Sequence, residues 1–154
     1  MNLKRNFQSK SAVNLFLKDF VKQIKAGHCI FFYGDLGVGK TYFSQQIIKY
    51  LTPLDIVTSP TFNLVNTYQY NNNVDILHCD LYRINSYDEV LELGIFDNLD
   101  QKILLVEWPN FLENIIKDPI IFKINFGKKN YERNVIINLS KNFKMLEKKQ
   151  VACK

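Results

Sequence analysis

The sequence predicts an α/β protein, a three-layer sandwich around a central, mostly parallel sheet with antiparallel additions. Three observations point there. Strand-like and helix-like patterns alternate through the first half of the chain. Lys102–Glu107 encloses four consecutive apolar residues, Ile103 to Val106, as expected of a strand covered on both faces. Ile120–Phe126 and Val135–Leu139 alternate around Gly127–Asn130 and read as a closing hairpin.

The elements follow in order. From Ser11 to Lys25 apolar residues fall at Val13, Phe16, Leu17, Phe20, Val21 and Ile24, which is helical spacing, and Gly27 suits the stop. His28–Tyr33 is a short apolar run read as a buried strand. A glycine-rich loop leads to a helix over Thr41–Leu51, ended by Pro53. Ile56-Val57-Thr58 is a short strand candidate running into Ser59-Pro60-Thr61, where Pro60 holds Ser59 extended. Leu64–Tyr70 and Val74–Asp80 flank an Asn71-Asn72-Asn73 turn and read as paired strands. Ser86-Tyr87-Asp88-Glu89 has capping-box spacing, so a short helix starts there and stops near Gly94.

Composition narrows the function classes. The chain has 154 residues, 47% hydrophobic and 23% charged, which fits one globular domain and excludes a disordered, collagen-like or coiled-coil chain. We read residues 1–140 as that domain and 141–154 as a Lys-rich tail. No apolar run is long enough to span a membrane, and none follows Lys4 and Arg5, so neither membrane insertion nor a secretory signal is expected. Cys29, Cys79 and Cys153 are far apart and form no C-x-x-C pair, which argues against a disulfide framework or zinc ribbon. A cytoplasmic protein of a reducing compartment is expected. Residues 1–25 carry +5, residues 26–140 carry −4 and residues 141–154 carry +4. The basic surplus is therefore terminal, which reads as solvated ends rather than a nucleic-acid footprint.

One motif carries chemistry outright. Gly34-Asp35-Leu36-Gly37-Val38-Gly39-Lys40-Thr41 fits G-x-x-x-x-G-K-[ST] without a mismatch, after a strand and before a helix. Its glycines let successive amides turn inward around phosphate oxygens, and the helix start adds unpaired amides and a positive dipole end. Lys40 is placed to reach the β- and γ-phosphates, and the Thr41 hydroxyl to ligate Mg2+. An acid at the carboxyl end of a neighbouring strand must complete such a site. Glu107 ends one apolar strand and Asp80 another, and both are candidates. Their oxygens suit Mg2+, which is shared with the phosphates.

With that loop, Ser59-Pro60-Thr61-Phe62, His78-Cys79-Asp80-Leu81-Tyr82-Arg83, Leu93-Gly94-Ile95 and Val106-Glu107-Trp108-Pro109 in this order, the sequence resembles the TsaE (YjeE) family. These are small P-loop ATPases of tRNA threonylcarbamoyladenosine biosynthesis. The resemblance runs from roughly residue 11 to residue 139. It implies ATP and Mg2+ as cofactors and slow hydrolysis alone. It also implies action with TsaB and TsaD on tRNAs reading A-starting codons, with tRNA met indirectly.

Residue by residue, Lys40 resembles the phosphate lysine, and Thr41 and Glu107 the metal ligands. Asp80 resembles the acid near the metal, and Thr61 lies in the switch-like loop. The nucleotide-contacting set becomes Asp35, Leu36, Gly37, Val38, Gly39, Lys40, Thr41 and Tyr42, with Arg133 from the last hairpin and Ser9 or Ser11 from the N-terminal segment. His78 and Tyr82 are read as positioning the Asp80 loop, and Trp108 follows the acid. Tyr42 and Cys79 depart from the family pattern without removing a ligand. Two rivals stand beside this reading. A small-molecule kinase of the same fold usually needs several arginines, and the chain has three, Arg5, Arg83 and Arg133. An ATP-dependent assembly switch would bind nucleotide with little chemistry. No N-K-x-D motif supports a GTPase.

Overall fold

In the computed structural model, which describes residues 2–143, seven strands form one sheet. They are β1 (Asn2–Phe7), β2 (Cys29–Tyr33), β3 (Val65–Asn71), β4 (Val74–Asp80), β5 (Lys102–Glu107), β6 (Ile120–Phe126) and β7 (Arg133–Asn138). The order across the sheet is β1-β7-β6-β2-β5-β4-β3. The four central strands are parallel, while β3 on one side and β7 and β1 on the other pair antiparallel. Alternation splits the apolar residues between two cores. Ile30, Phe32, Ile103, Leu105 and Phe122 face α1 (Lys10–Phe20) and α2 (Lys40–Leu51). Phe31, Leu77, Leu104 and Val106 face α3 (Tyr87–Glu92) and the segments around Ile95 and Leu112. The expected α/β sandwich is what forms.

Two differences from the sequence reading have clear causes. Asn2–Phe7 shows no alternation that marks a strand, yet it forms β1 because it pairs with β7. Ile56–Thr58 is not a strand. Pro53 and Pro60, neither with an amide for a ladder, bracket it, and only Val57 is buried, its carbonyl accepting from Gln45 Nε2 at 2.9 Å. Ser86 does cap α3, accepting from the Glu89 amide.

Cys29 and Cys79 are buried free thiols; burial raises Cys29 to about 11 and Cys79 further. Cys153 and residues 144–154 of the Lys-rich stretch lie outside the described residues. Among the described residues no helix is long and apolar enough to cross a membrane.

Packing continues through Phe143, which is buried with its ring 4.8 Å from Phe20. Phe20 is itself wholly buried and meets Phe122 edge-on at 5.2 Å. Phe20→Ala therefore empties the joint between α1, β6 and the turn that carries Phe143. Urea denaturation should register a loss of about 3–5 kcal/mol.

Candidate functional site

Parallel pairing decides where the chemistry gathers. In register, Phe32 of β2 lies beside Glu107 of β5, and Glu107 lies beside Asp80 of β4. The glycine-rich loop thus leaves the sheet at the edge where both acids end their strands. Leu36, Gly37, Gly39, Lys40, Thr41, Thr61, Asp80, Tyr82, Glu107 and Trp108 line one cavity of about 300 Å³ there.

Gly34, Gly37 and Gly39 all hold positive φ, at 142°, 76° and 108°. At Gly34 the need is absolute, since a Cβ would sit 2.3 Å from the Ile124 carbonyl oxygen. Gly39 then caps α2. Lys40 is almost fully buried, and its Nζ donates to the loop carbonyls of Gly34 at 2.7 Å and Asp35 at 2.9 Å. Burial lowers its pKa, partly offset by the nearby carboxylates of Glu107, Asp80 and Asp35. The Trp108 ring covers it, with Nζ 3.8 Å from the ring centroid. Trp108 reaches that place through a φ of 57°, uncommon for an aromatic residue, and its ring also lies 4.8 Å from Tyr82.

Glu107 is buried and accepts three side-chain bonds. Thr41 Oγ1 donates to Oε2 at 2.7 Å, while Ser44 Oγ at 3.0 Å and His78 Nε2 at 2.8 Å reach Oε1. Asp80 is fixed more lightly, Oδ2 accepting from Thr61 Oγ1 at 3.0 Å and Oδ1 from the Tyr82 amide at 3.1 Å. Ser59 Oγ lies 2.8 Å from Thr61 Oγ1. Arg83 ties this segment down by donating to the carbonyls of Thr61 and Phe62. Phe62 itself is 87% exposed.

Beside the loop is a second cavity, of about 210 Å³, lined by Ser9, Lys10, Val38, Tyr42, Tyr131 and Arg133 among others. Arg133 Nε donates to the Val38 carbonyl at 2.7 Å, and Tyr42 OH donates to Asn14 Oδ1 at 2.7 Å. Ser11 is exposed in the first turn of α1 and does not line this cavity; Ser9, the N-cap, does. His78 serves Glu107, not the Asp80 loop. Ser44 was not read from sequence, although a hydroxyl one turn after Thr41 on the helix's inner face was a usable signal. A larger cavity of about 790 Å³, bordered by Phe31, Tyr33, Gly34 and residues of the 113–119 segment, gathers no pair of acids opposite the phosphate loop.

The donor set fits Mg2+ with a polyphosphate: an all-oxygen pair, Thr41 and Glu107, beneath a buried lysine whose present partners are loop carbonyls. Among the described residues no group of three or more His, Cys, Asp or Glu side chains could hold a metal alone. Mg2+ shared with phosphates needs only one or two protein oxygens.

The sequence profile of the family described as "Threonylcarbamoyl adenosine biosynthesis protein TsaE" matches residues 7–135. This chain belongs to the TsaE family. A tRNA threonylcarbamoyladenosine biosynthesis protein TsaE from Rickettsia bellii is 37% identical over 122 residues, 79% of this chain and 84% of the relative. The TsaE of Borreliella burgdorferi is 33% identical over 123 residues, covering 78% and 88%. The crystal structure of YdiB from Bacillus subtilis superposes with a TM-score of 0.74 at 21% identity, covering 92% of this chain and 88% of that one, and so shares its fold.

Gly34→Ala forces a methyl into the Ile124 carbonyl. It should lower stability by on the order of 3 kcal/mol in a thermal melt and weaken nucleotide binding in the same variant.

Proposed function

We propose that this TsaE-family chain is the ATP-binding and hydrolysing subunit for threonylcarbamoyladenosine formation on tRNAs reading A-starting codons, working with TsaB and TsaD in the cytoplasm. The ATPase unit is residues 1–140, with 141–154 as its tail, whose first turn packs Phe143 against Phe20. One observation carries the catalytic half of this reading: Thr41 Oγ1 and Glu107 Oε2 stand 2.7 Å apart beneath the phosphate loop, with Asp80 lining the same cavity.

In that site the loop amides and the α2 N-terminus hold the phosphate oxygens, and Lys40 leaves the carbonyls of Gly34 and Asp35 for the β- and γ-phosphates. The nucleoside would be held by Ser9, Tyr42 and Arg133, which line the cavity beside the loop. Thr41 and Glu107 would hold Mg2+, which when bound would supply positive charge against the phosphate oxygens. Asp80 orients the attacking water. Each of its oxygens accepts a single bond and keeps a lone pair for a water, whereas Glu107 Oε1 already faces two donors and its Oε2 is given to Thr41 and the metal. Water adds to the γ-phosphorus as the bond to the bridging oxygen breaks, yielding ADP and phosphate.

Turnover of the isolated chain is slow on this account. Arg83 is engaged by the carbonyls of Thr61 and Phe62, and Arg133 by those of Val38, Asn130 and Glu132. Neither is free to neutralise charge developing on the γ-phosphate. The exposed Ser59–Phe62 loop, which bonds Asp80 through Thr61, is the part a protein partner would set.

An ATP-turnover assay with and without TsaB and TsaD tests the assignment. Stimulation by the two proteins is expected. Equal rates remove the gating, acceleration by a small acceptor makes the chain a kinase, and nucleotide-dependent association without phosphate release makes it a switch. Lys40→Ala should lose ATP binding. Glu107→Gln should keep nucleotide while Mg2+-dependent turnover falls about 10- to 100-fold, and unchanged turnover would remove Glu107 from its role.

A further inference from the structure

His78 is wholly buried at a cost the fold could have avoided. Its Nδ1 finds no hydrogen-bond partner, an orphan that an aliphatic side chain there would not create. What the imidazole contributes is its other nitrogen. Glu107 as a carboxylate only accepts, so His78 Nε2 carries the hydrogen and donates to Oε1 at 2.8 Å.

Ser44 reaches the same oxygen, but its hydroxyl has one hydrogen and three acceptors within range. These are Glu107 Oε1 at 3.0 Å and the carbonyls of Lys40 at 2.9 Å and Thr41 at 3.3 Å. The carbonyl four residues back is the ordinary acceptor for a helical serine. His78 has no such competitor. It is therefore the one donor dedicated to the inner oxygen of Glu107, while Oε2 faces Thr41 and the phosphate loop.

Strand geometry supports the pairing. His78 precedes Asp80 by two residues on β4, so both side chains leave the sheet on one side, and Asp80 is in register with Glu107 on β5. His78 is in register with Leu105, two residues before Glu107, so the imidazole and the carboxylate leave the sheet on the same face as diagonal neighbours.

We infer that His78 is a positioning residue that sets the orientation of the Glu107 carboxylate, so that Oε2 alone is presented to Mg2+, with Ser44 as an auxiliary donor. This rests on the proposed metal role of Glu107. Histidine metal ligands are commonly oriented by a carboxylate behind them; here the order is reversed, an imidazole orienting a carboxylate.

The test separates metal from nucleotide. A fluorescent ATP analogue is titrated into the wild type, His78→Leu, His78→Gln and Ser44→Ala, first in EDTA and then across a Mg2+ series, with thermal melts on each variant. His78→Leu should bind nucleotide in EDTA as the wild type does, while the Mg2+ concentration for half-maximal tightening rises about tenfold. His78→Gln, whose amide can donate to Oε1, should recover most of that shift, and Ser44→Ala should shift less than His78→Leu. A folded His78→Leu protein with the wild-type Mg2+ midpoint overturns the inference, as does an equal loss of EDTA binding and Mg2+ response. Should the leucine variant not fold, the glutamine variant decides alone, and a tenfold shift there counts against positioning by donation. If wild-type binding ignores Mg2+ altogether, the metal role of Glu107 fails first, and the inference falls with it.

Discussion

Burying a carboxylate is costly unless donors surround it, and Glu107 is the residue on which this site's design turns. Its three donors come from two elements: Thr41 and Ser44 on α2, and His78 on β4. Satisfying Glu107 therefore requires β4, β5 and α2 to pack in one arrangement. The same arrangement delivers the phosphate loop and Asp80 to a shared cavity. The polar centre and the fold are a single requirement.

The surroundings divide into fixed and adjustable parts. Glu107, Lys40 and Ser44 are buried, and their bonds run within the sheet–helix layer. Asp80 hangs on an exposed segment through Thr61, which Arg83 holds by two carbonyls. Local opening draws on such lightly packed parts of a protein. Metal placement thus resides in the rigid layer and water placement in the loop.

Legibility from sequence followed the kind of information each element carries. Lys102–Glu107 and Ile120–Phe126 announce themselves through apolar runs and alternation, and the structure gives them the same bounds. Asn2–Phe7 carries no pattern because its strand character comes from its neighbour β7. Lys40, Thr41 and Glu107 were visible because a spacing rule or a strand end marks them. The apolar spacing starts the helix at Ser11, one residue after its true start at Lys10, and of the two serines named it is the N-cap Ser9 that borders the second cavity. His78 was assigned to the Asp80 loop because it is close along the chain, whereas its partner lies across the sheet. Contacts between distant segments are what a linear reading misses.

All of Ile103 to Val106 is fully buried, and the two cores flanking β5 are both apolar. Hydrophobic burial alone would barely object if this strand slipped by one position, since greasy residues would still face greasy surroundings on either side. The slip would, however, strip Glu107 of its donors and strand it among hydrocarbon, an outcome no compact state tolerates cheaply. The polar cluster therefore acts as the key that selects one alignment among several nearly equivalent ones. A version of this protein with an all-aliphatic centre would gain freedom to misthread at its middle strand.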